Sequence, residues 1–410
     1  MEIDNQSLFT IKGNVDYKRF CHAWRRVIAC NEMLRATFKW EGIESPIQII
    51  HKEVPLQCAF DSINNKSYYK NKLEEIIEYE WINKPPICEH SFKIRLIQLS
   101  TEEYFMIITY HHIIMDGWSF GIILKEFMQN YLDEKGDAEV SEQKTAFGIY
   151  LDYCESANKK KTIEFWGNYL EGVKFNNMAF ERFQDKKTVR TTEVITIDSE
   201  TRIKAIMYCR QNHITFATLA YGLWGLMLYE LGNRQADICF GVTLSGRHVN
   251  IIGIDSMVGL FIDTVPIKIS LTDDISVREM FGKISRDISA FLSIDSVSFI
   301  DISNKVIPPA HRLYDSTVVI QNYPAASSYG NSKEQLSIHF QEGRFSTESG
   351  VVLSIKVFEE FMQVVIDHIT TPENYRSKLN CRTFLYYLRT ILDLDMKLNA
   401  TIGDVLTLPR

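Results

Sequence analysis

The chain has 410 residues and a formal net charge of −7, from 45 basic and 52 acidic side chains. This balance disfavours a nucleic-acid binder, because phosphate contacts call for an excess of basic side chains. No apolar run approaches the roughly 18 residues that a membrane-spanning helix needs, which disfavours a membrane protein. The hydrophobic fraction of 45% can fill a large core, and the length suits two or three domains.

The eight cysteines have irregular spacing and form no C-x-x-C pair. We therefore expect reduced, mostly structural thiols in a cytoplasmic protein. The stretch from Met1 to Asp4 lacks the basic and apolar regions of a secretory signal peptide, which agrees with that expectation.

In the first half of the chain, hydrophobic periodicity predicts alternating strands and helices. A strand over Ser7 to Lys12 precedes a helix whose buried face includes Trp24. Phe92 to Leu96 alternates apolar and basic side chains, as in a half-buried strand, and Tyr104 to Tyr110 is an apolar strand buried on both faces. An amphipathic helix over Phe120 to Tyr131 follows.

The second half repeats this style, which indicates a mixed α/β (α+β) fold. The polar, irregular region between residues 133 and 190 indicates a lobe boundary. We therefore expect an amino-terminal lobe of residues 1–170 and a carboxy-terminal lobe of residues 171–410. The predicted elements of the second half are helices over Thr215 to Leu231, Val277 to Phe291 and Tyr386 to Leu394, and strands over Ile238 to Leu244, Leu260 to Ile269, Thr317 to Gln321, Val351 to Val357 and Phe361 to Ile366.

The stretch from His111 to Ser119 carries the clearest chemical signal. It lies where the buried strand ends and the amphipathic helix begins. Adjacent strand residues point to opposite faces, so one of His111 and His112 can enter a cavity while the other packs internally. A neutral imidazole suits general-base catalysis, because its ordinary pKa of about 6.5 is close to neutral pH. Asp116 lies in the turn, and Gly117 would permit a backbone conformation that a side chain resists.

Other interpretations of this stretch are weaker. A zinc site would need a distant ligand such as His90 beside the two histidines and Asp116, but adjacent strand residues diverge and H-E-x-x-H is absent, so no metal is expected. A lone histidine beside an apolar strand is usually a core residue without a chemical role. That explanation suits the whole pattern from His111 to Gly117 less well. The sequence contains no phosphate-binding glycine loop, no dinucleotide motif and no G-x-S-x-G nucleophile elbow.

His111 to Gly117 matches the H-H-x-x-x-D-G motif of condensation domains from nonribosomal peptide synthetases. Further segments resemble motifs of that family, in the family's order, from about residue 7 to the end. Several motifs in order are far more specific than one. The further segments are Asn31 to Phe38, with Asn31 in place of the usual His; Tyr153 with Phe165 to Leu170; Asp237 to Arg247; Val258 to Pro266, with Asp263 in place of the usual Asn; and Ile320 to Pro324.

The resemblance implies two chloramphenicol-acetyltransferase-like lobes in a V-shaped pseudo-dimer with a tunnel between them. It implies peptide-bond formation, in which the amine of an acceptor aminoacyl thioester attacks a donor acyl or peptidyl thioester. The substrates would arrive on the 4′-phosphopantetheine arms of upstream donor and downstream acceptor peptidyl carrier proteins, and the chain itself would bind no cofactor. We expect a monomer that works beside adjacent synthetase domains, with neither nucleic acid nor membrane as a partner.

The same resemblance assigns roles to residues. His112 would position or deprotonate the acceptor amine, with His111 in the same catalytic motif, and the Gly117 N–H would face the developing oxyanion. Asp116 would form a structural ion pair with Arg35, and removing one partner of such a buried pair costs about 3–5 kcal/mol. The residues expected to line the substrate tunnel are Trp118, Ser119, Ser245, Arg247, Gln321 and Asn322.

Comparison within the superfamily favours condensation proper. Trp118 and Ser119 follow the Asp-Gly pair where epimerisation domains favour V-S-W, and His111 stands where heterocyclisation domains have Asp. The D-F-G-W-G motif of plant-type acyltransferases is absent. One departure from the family pattern is that the S-x-A-Q-x-R-L-W-like element, with which family members usually begin, is also absent. Two alternatives stay open: a catalytically silent condensation-like platform that binds carrier proteins or a tailoring enzyme, and a stand-alone acyltransferase.

Overall fold

A computed structural model describes residues 4–63, 69–133, 144–173, 189–232, 234, 236–294, 313–321, 328–329, 336–345, 349–358, 361–370, 379–394 and 400–407. The chain divides into two compact units. Unit 1 takes in residues 1–152, 249–261 and 323–347, and unit 2 takes in residues 153–248, 262–322 and 348–410. Each unit combines a β-sheet with helices, which confirms the expected mixed α/β fold class.

The helices and strands follow one another along both units. The strands are β1 (Asp4–Lys12), β2 (Ala36–Lys39), β3 (Ile47–Ile50), β4 (Cys58–Ser62), β5 (Phe92–Gln98), β6 (Glu103–His111), β7 (Val189–Ile197), β8 (Asp237–Leu244), β9 (Asp263–Ser270), β10 (Ser316–Gln321), β11 (Ser328–Tyr329), β12 (Ser337–Phe345), β13 (Val351–Val357) and β14 (Met362–Thr370). The helices are α1 (Tyr17–Cys30), α2 (Tyr69–Ile82), α3 (Gly117–Leu132), α4 (Gly148–Ser156), α5 (Lys159–Tyr169), α6 (Ser199–Gln211), α7 (Phe216–Leu231), α8 (Val277–Leu292), α9 (Cys381–Leu394) and α10 (Ile402–Thr407).

Unit 1 is built on a six-stranded sheet with the order β11-β12-β1-β6-β5-β4. The pairs are antiparallel except β4 with β5. The apolar strand β6 is buried from Tyr104 to its end, as its sequence predicts. Asp16 caps α1 by accepting a hydrogen bond from the Arg19 N–H at 3.0 Å. The buried face of α1 then packs on α3, where Trp24 stacks on Phe127 with ring centroids 4.5 Å apart.

Unit 2 contains a second six-stranded sheet, with the order β7-β14-β13-β10-β8-β9. β10 pairs in parallel with both β8 and β13, and the other pairs are antiparallel. Helix α7 is apolar on all sides and almost fully buried, because it crosses the core of the unit. Gly222 of α7 lies so close to α8 that a methyl group there would overlap the Phe281 ring.

Among the described helices, none is by itself long and apolar enough to cross a bilayer. Of the described helices, only α6 and α7 taken together reach the length and apolar composition of a membrane span, and the pair is bent by 104° at the break between them.

The single lobe boundary expected after residue 170 does not coincide with these units. Residues 153–170 fall in unit 2, and two segments from the second half of the chain, 249–261 and 323–347, fall in unit 1. The second of these carries β12, which pairs with β1 across the sheet of unit 1. Hydrophobic periodicity reports the local type of an element and not its distant pairing partner. The polar region near residue 170 therefore predicted a boundary at a place where the two units do not divide.

Candidate active site

The predicted catalytic stretch forms the turn between β6 and α3. β6 ends at His111, a 3₁₀ turn covers His112–Ile114, and α3 begins at Gly117. A buried strand that runs directly into a buried helix needs a short, fixed connection, and hydrogen bonds from neighbouring segments supply it. The two histidines fall on either side of the boundary between strand and turn, so their surroundings differ.

His111 holds the turn in place. Its side chain is 8% exposed, and its Nδ1 accepts a hydrogen bond from the Ile113 N–H at 3.1 Å. Its own N–H donates to the Ser91 carbonyl at 3.2 Å. Because Nδ1 accepts a hydrogen bond, the neutral ring carries its proton on Nε2. This geometry gives His111 a structural part in the site.

His112 is the half-buried imidazole of the turn. Its Nδ1 is buried and has no partner of normal hydrogen-bond geometry among the described residues. Burial lowers the pKa of His112 below its usual value of 6.5, while the backbone groups of His112 and Met115 and the carboxylate of Asp116 oppose that effect. The ring is therefore neutral at pH 7, and a neutral ring can accept a proton.

Asp116 fastens the turn to a distant part of unit 1. The carboxylate is fully buried; Oδ1 accepts from the Ser119 N–H at 2.8 Å and Oδ2 from the Phe261 N–H at 3.1 Å. The first bond caps α3, because Asp116 is its N-cap residue. The Asp116 N–H donates to the Gly259 carbonyl at 3.1 Å. Asp116 therefore joins β6, α3 and the segment 249–261.

The expected ion pair between Asp116 and Arg35 is wrong. The Arg35 guanidinium donates instead to three carbonyls, those of Ile28 at 3.3 Å, Lys52 at 3.1 Å and His51. Within the described part of the chain, Arg35 forms no ion pair. The physical reason is that backbone carbonyls satisfy the guanidinium, while backbone N–H groups satisfy the carboxylate of Asp116.

The three residues after Asp116 begin α3. Gly117 takes the first helical position with no positive φ, so the expectation of a special backbone conformation is wrong. Its N–H nevertheless lies in the first turn, where N–H groups have no acceptor within the helix. Trp118 is half-buried, and its Nε1 donates to the Asp255 carbonyl at 3.1 Å. Ser119 is fully buried, and its hydroxyl bonds the Gly259 carbonyl at 2.8 Å and N–H at 3.1 Å. Ser119 therefore joins the start of α3 to the segment 249–261, and its expected place in a substrate tunnel stays a prediction.

The other predicted tunnel residues belong to unit 2. Arg247 is buried, and its N–H donates to the exposed Ser245 hydroxyl at 3.4 Å. Ser245 follows the end of β8, and Gln321 ends β10, so both lie at the same end of two parallel neighbours. Asn322 lies outside the described residues. A substrate-binding role for these residues stays a prediction.

The partners that hold Asp116 could not be recognised from the sequence. Gly259 and Phe261 lie in the segment Val258 to Pro266, which served only as evidence of family resemblance. Phe147 was missed altogether, although its ring fills the space beside Gly259. The available signal was Gly259 itself, since a glycine in a bulky apolar run marks the close approach of another group.

Metal ligation has no obvious place in the described part of the chain. No three His, Cys, Asp or Glu side chains converge there in a way that could hold an ion. His90, the distant ligand considered for zinc, is buried, and its Nε2 lies 2.5 Å from the Leu34 carbonyl oxygen.

The turn thus places an H-H-x-x-x-D-G sequence between a buried strand and a helix of a mixed α/β unit. Residues 4–409 match the family model named Condensation domain, and the chain belongs to the condensation domain family. It is 28% identical over 332 residues to bacitracin synthase 1 of Bacillus licheniformis, a match that covers 78% of this chain and 6% of that protein. It is 26% identical over 417 residues to gramicidin S synthase 2 of Brevibacillus brevis, a match that covers 98% of this chain and 8% of that protein. The chain thus spans less than about a tenth of these relatives' length.

Solved structures show the same fold. The condensation domain from Monacolin K polyketide synthase superimposes with a TM-score of 0.77 at 15% identity, over 97% of this chain and 93% of that one. The first condensation domain of the calcium-dependent antibiotic synthetase gives 0.77 at 13% identity, over 98% and 93%. The X-domain from teicoplanin biosynthesis gives 0.76 at 16% identity, over 98% and 92%. This likeness confirms the expected chloramphenicol-acetyltransferase-like fold with two sheet-containing lobes.

Proposed function

We propose that this chain forms an amide bond between a donor acyl or peptidyl thioester and the amine of an acceptor aminoacyl thioester. Condensation domains of peptide synthetases catalyse amide-bond formation, and the curated relatives are such synthetases. Both thioesters would arrive on the 4′-phosphopantetheine arms of carrier proteins, and the chain would add no cofactor of its own. We propose a monomer in the cytoplasm, and the eight free cysteines suit a reducing compartment.

The half-buried imidazole of His112, in the turn between β6 and α3, is the observation that carries this proposal. An α-amino group has a pKa of about 7.7–8.0, so much of the acceptor amine is protonated at neutral pH and must lose a proton to react. The amine attacks the donor carbonyl, the C–N bond forms and the C–S bond breaks. A protonated amine first loses one proton to solvent; as the C–N bond forms, His112 accepts a second proton from the attacking nitrogen and passes it to the leaving thiolate. Such general-base assistance is worth about 10²–10⁴-fold in rate.

The amino-terminal end of α3 supplies a second contribution in this proposal. The tetrahedral intermediate carries negative charge on the former carbonyl oxygen, and preorganised N–H donors stabilise such an oxyanion. The Gly117 N–H is in the first turn of α3, where the helix dipole also favours negative charge. Asp116 contributes indirectly, since it holds both the turn and the start of this helix.

The test is intact-protein mass spectrometry of carrier proteins that have been loaded with aminoacyl thioesters. We expect the acyl mass to leave the donor carrier and to appear on the aminoacyl acceptor carrier, with the parent chain but not with His112→Ala. A free amino-acid amide replaces the acceptor carrier in a parallel reaction. Faster transfer to that soluble amine would favour a stand-alone acyltransferase. Carrier binding without any transfer by the folded parent chain would favour the silent platform.

A further inference from the structure

Aromatic side chains hold the segment that in turn holds Asp116. Gly259 is buried, and a Cβ at this position would overlap the Phe147 ring. Phe147 also meets Phe261 edge to face, with ring centroids 5.2 Å apart and an interplanar angle of 87°. Tyr150 lies on the same Phe261 ring, with centroids 4.6 Å apart. The position of Gly259 and Phe261 therefore depends on the Phe147 ring.

Phe147 is itself anchored to other parts of unit 1. Its N–H donates to Glu32 Oε1. Two residues earlier, the Thr145 hydroxyl donates to the Ile252 carbonyl at 3.1 Å. Lys144 donates to Asn31 Oδ1 at 2.6 Å. The stretch from 144 to 147 is thus fixed to the end of α1 as well as to the segment 249–261.

We propose that Phe147 is a positioning residue, which acts through Gly259 and Phe261 to hold Asp116 and thereby the turn that carries His112. The path consists of contacts already described: the ring on Gly259, the Asp116 N–H to the Gly259 carbonyl at 3.1 Å, and the Phe261 N–H to the Asp116 carboxylate at 3.1 Å. The kinetic consequence rests on the proposed function, but the structural consequence at His112 does not.

An exchange of size across the contact tests the path. Gly259→Ala should displace the ring and lower kcat for transfer between loaded carriers by about tenfold to a hundredfold, because small misplacements of a reacting group are costly. Phe147→Ala should lower kcat to a similar degree, since it leaves the segment unsupported. In the double variant the new methyl group occupies space that the ring vacated, so its kcat should be no lower than that of the poorer single variant. Losses that multiply in the double variant would overturn the proposal.

Phe127→Leu is the matched control for Phe147→Leu. Both changes remove a buried aromatic ring from unit 1, and Phe127 stacks on Trp24 away from the turn. Both should lower the thermal unfolding midpoint, but only Phe147→Leu should lower kcat, with KM nearly unchanged. An equal loss of kcat in both variants, or none in Phe147→Leu, would show that the ring has only a structural role.

Histidine-selective NMR of the full chain separates this inference from the proposed function, because it needs no substrate. The His112 ring signal, assigned with His112→Gln, should shift in Phe147→Leu and stay unchanged in Phe127→Leu. The signal of His213, in unit 2, should not move in either variant. An unmoved His112 signal overturns the inference even if transfer occurs. A shifted signal in a chain without transfer activity supports the contact and counts against the proposed function alone.

Discussion

At the scale of single residues, two adjacent histidines take different parts because their surroundings differ. His111 accepts a hydrogen bond from the Ile113 N–H and fixes the turn, whereas burial keeps His112 neutral. Alternation along a strand predicts that the two side chains diverge, but His112 lies in the 3₁₀ turn after β6, so the end of the strand and not alternation separates their surroundings. The sequence could not predict that Gly259 and Phe261 would bond to Asp116, because these two partners lie more than a hundred residues away, whereas the Ser119 N–H is a local partner.

The pKa of His112 gives a direct test of its surroundings. Burial lowers this pKa, so the ring of the folded chain should titrate below pH 6.5, as followed by histidine-selective NMR. Asp116→Asn should lower the midpoint further, because the carboxylate favours the charged ring. A midpoint above 7 in the parent chain, or an upward shift in Asp116→Asn, would contradict this account.

Asp263 should destabilise the folded chain near neutral pH. Burial raises its pKa from 3.8 to about 6, and only the Thr264 N–H, at 2.8 Å, opposes that shift. The folded state therefore binds more protons than the unfolded state between these values, and stability falls as the pH rises through that range. Asp263→Asn removes the effect and should stabilise the chain by about 1–3 kcal/mol at pH 7.

Denaturant unfolding at two pH values checks this expectation. The gain from Asp263→Asn should be present at pH 7 and nearly absent at pH 4, where the parent carboxyl is largely protonated. Asp274→Asn is a suitable control, because Asp274 is fully exposed and its pKa is lowered. An equal gain at both pH values would point to a cause other than ionisation.

At the scale of elements, the long apolar segments could be predicted and the segments with distant partners could not. β6, α7 and α8 follow their hydrophobic patterns closely. β9 begins at Asp263, three residues after the predicted start at Leu260. The reason is physical: the backbone groups of Gly259 and Phe261 bond to Asp116 and Ser119 and are not available for a sheet.

The start of α3 should depend strongly on Asp116. Asp116→Ala removes the helix cap and leaves the Phe261 N–H buried without an acceptor, so unfolding should become easier by about 2–4 kcal/mol. Denaturant unfolding followed by circular dichroism measures this loss. Arg35→Ala is the comparison variant, because Arg35 donates to backbone carbonyls and not to Asp116. It should therefore leave the His112 titration unchanged. Loss of transfer activity in Asp116→Ala with full stability would argue for a direct chemical role.

At the scale of the whole molecule, two six-stranded sheets form two units that are each assembled from separate stretches of the chain. Composition and periodicity predicted two lobes and their mixed α/β class. They could not predict that β12 returns to pair with β1, because strand pairing across more than three hundred residues depends on the completed fold.

A fragment of residues 1–170 should therefore fail to fold on its own. It lacks β12, the antiparallel partner of β1 from Asn5 to Lys12, and it lacks the segment 249–261 that bonds to Asp116. An unpaired strand edge and unsatisfied buried groups should leave the fragment aggregated or unfolded. Circular dichroism during heating measures the outcome, and a cooperative transition would support the boundary at residue 170 instead.

The central claim is that His112 assists amide-bond formation between carrier-bound thioesters. The most direct measurement is the single-turnover rate of transfer between loaded carriers, compared for the parent chain and His112→Ala under rapid chemical quench. We predict a fall of about 10²–10⁴-fold in His112→Ala, with unchanged circular dichroism and unchanged carrier binding. A fall of less than about threefold, in a variant that folds and binds equally well, would contradict the role assigned to His112.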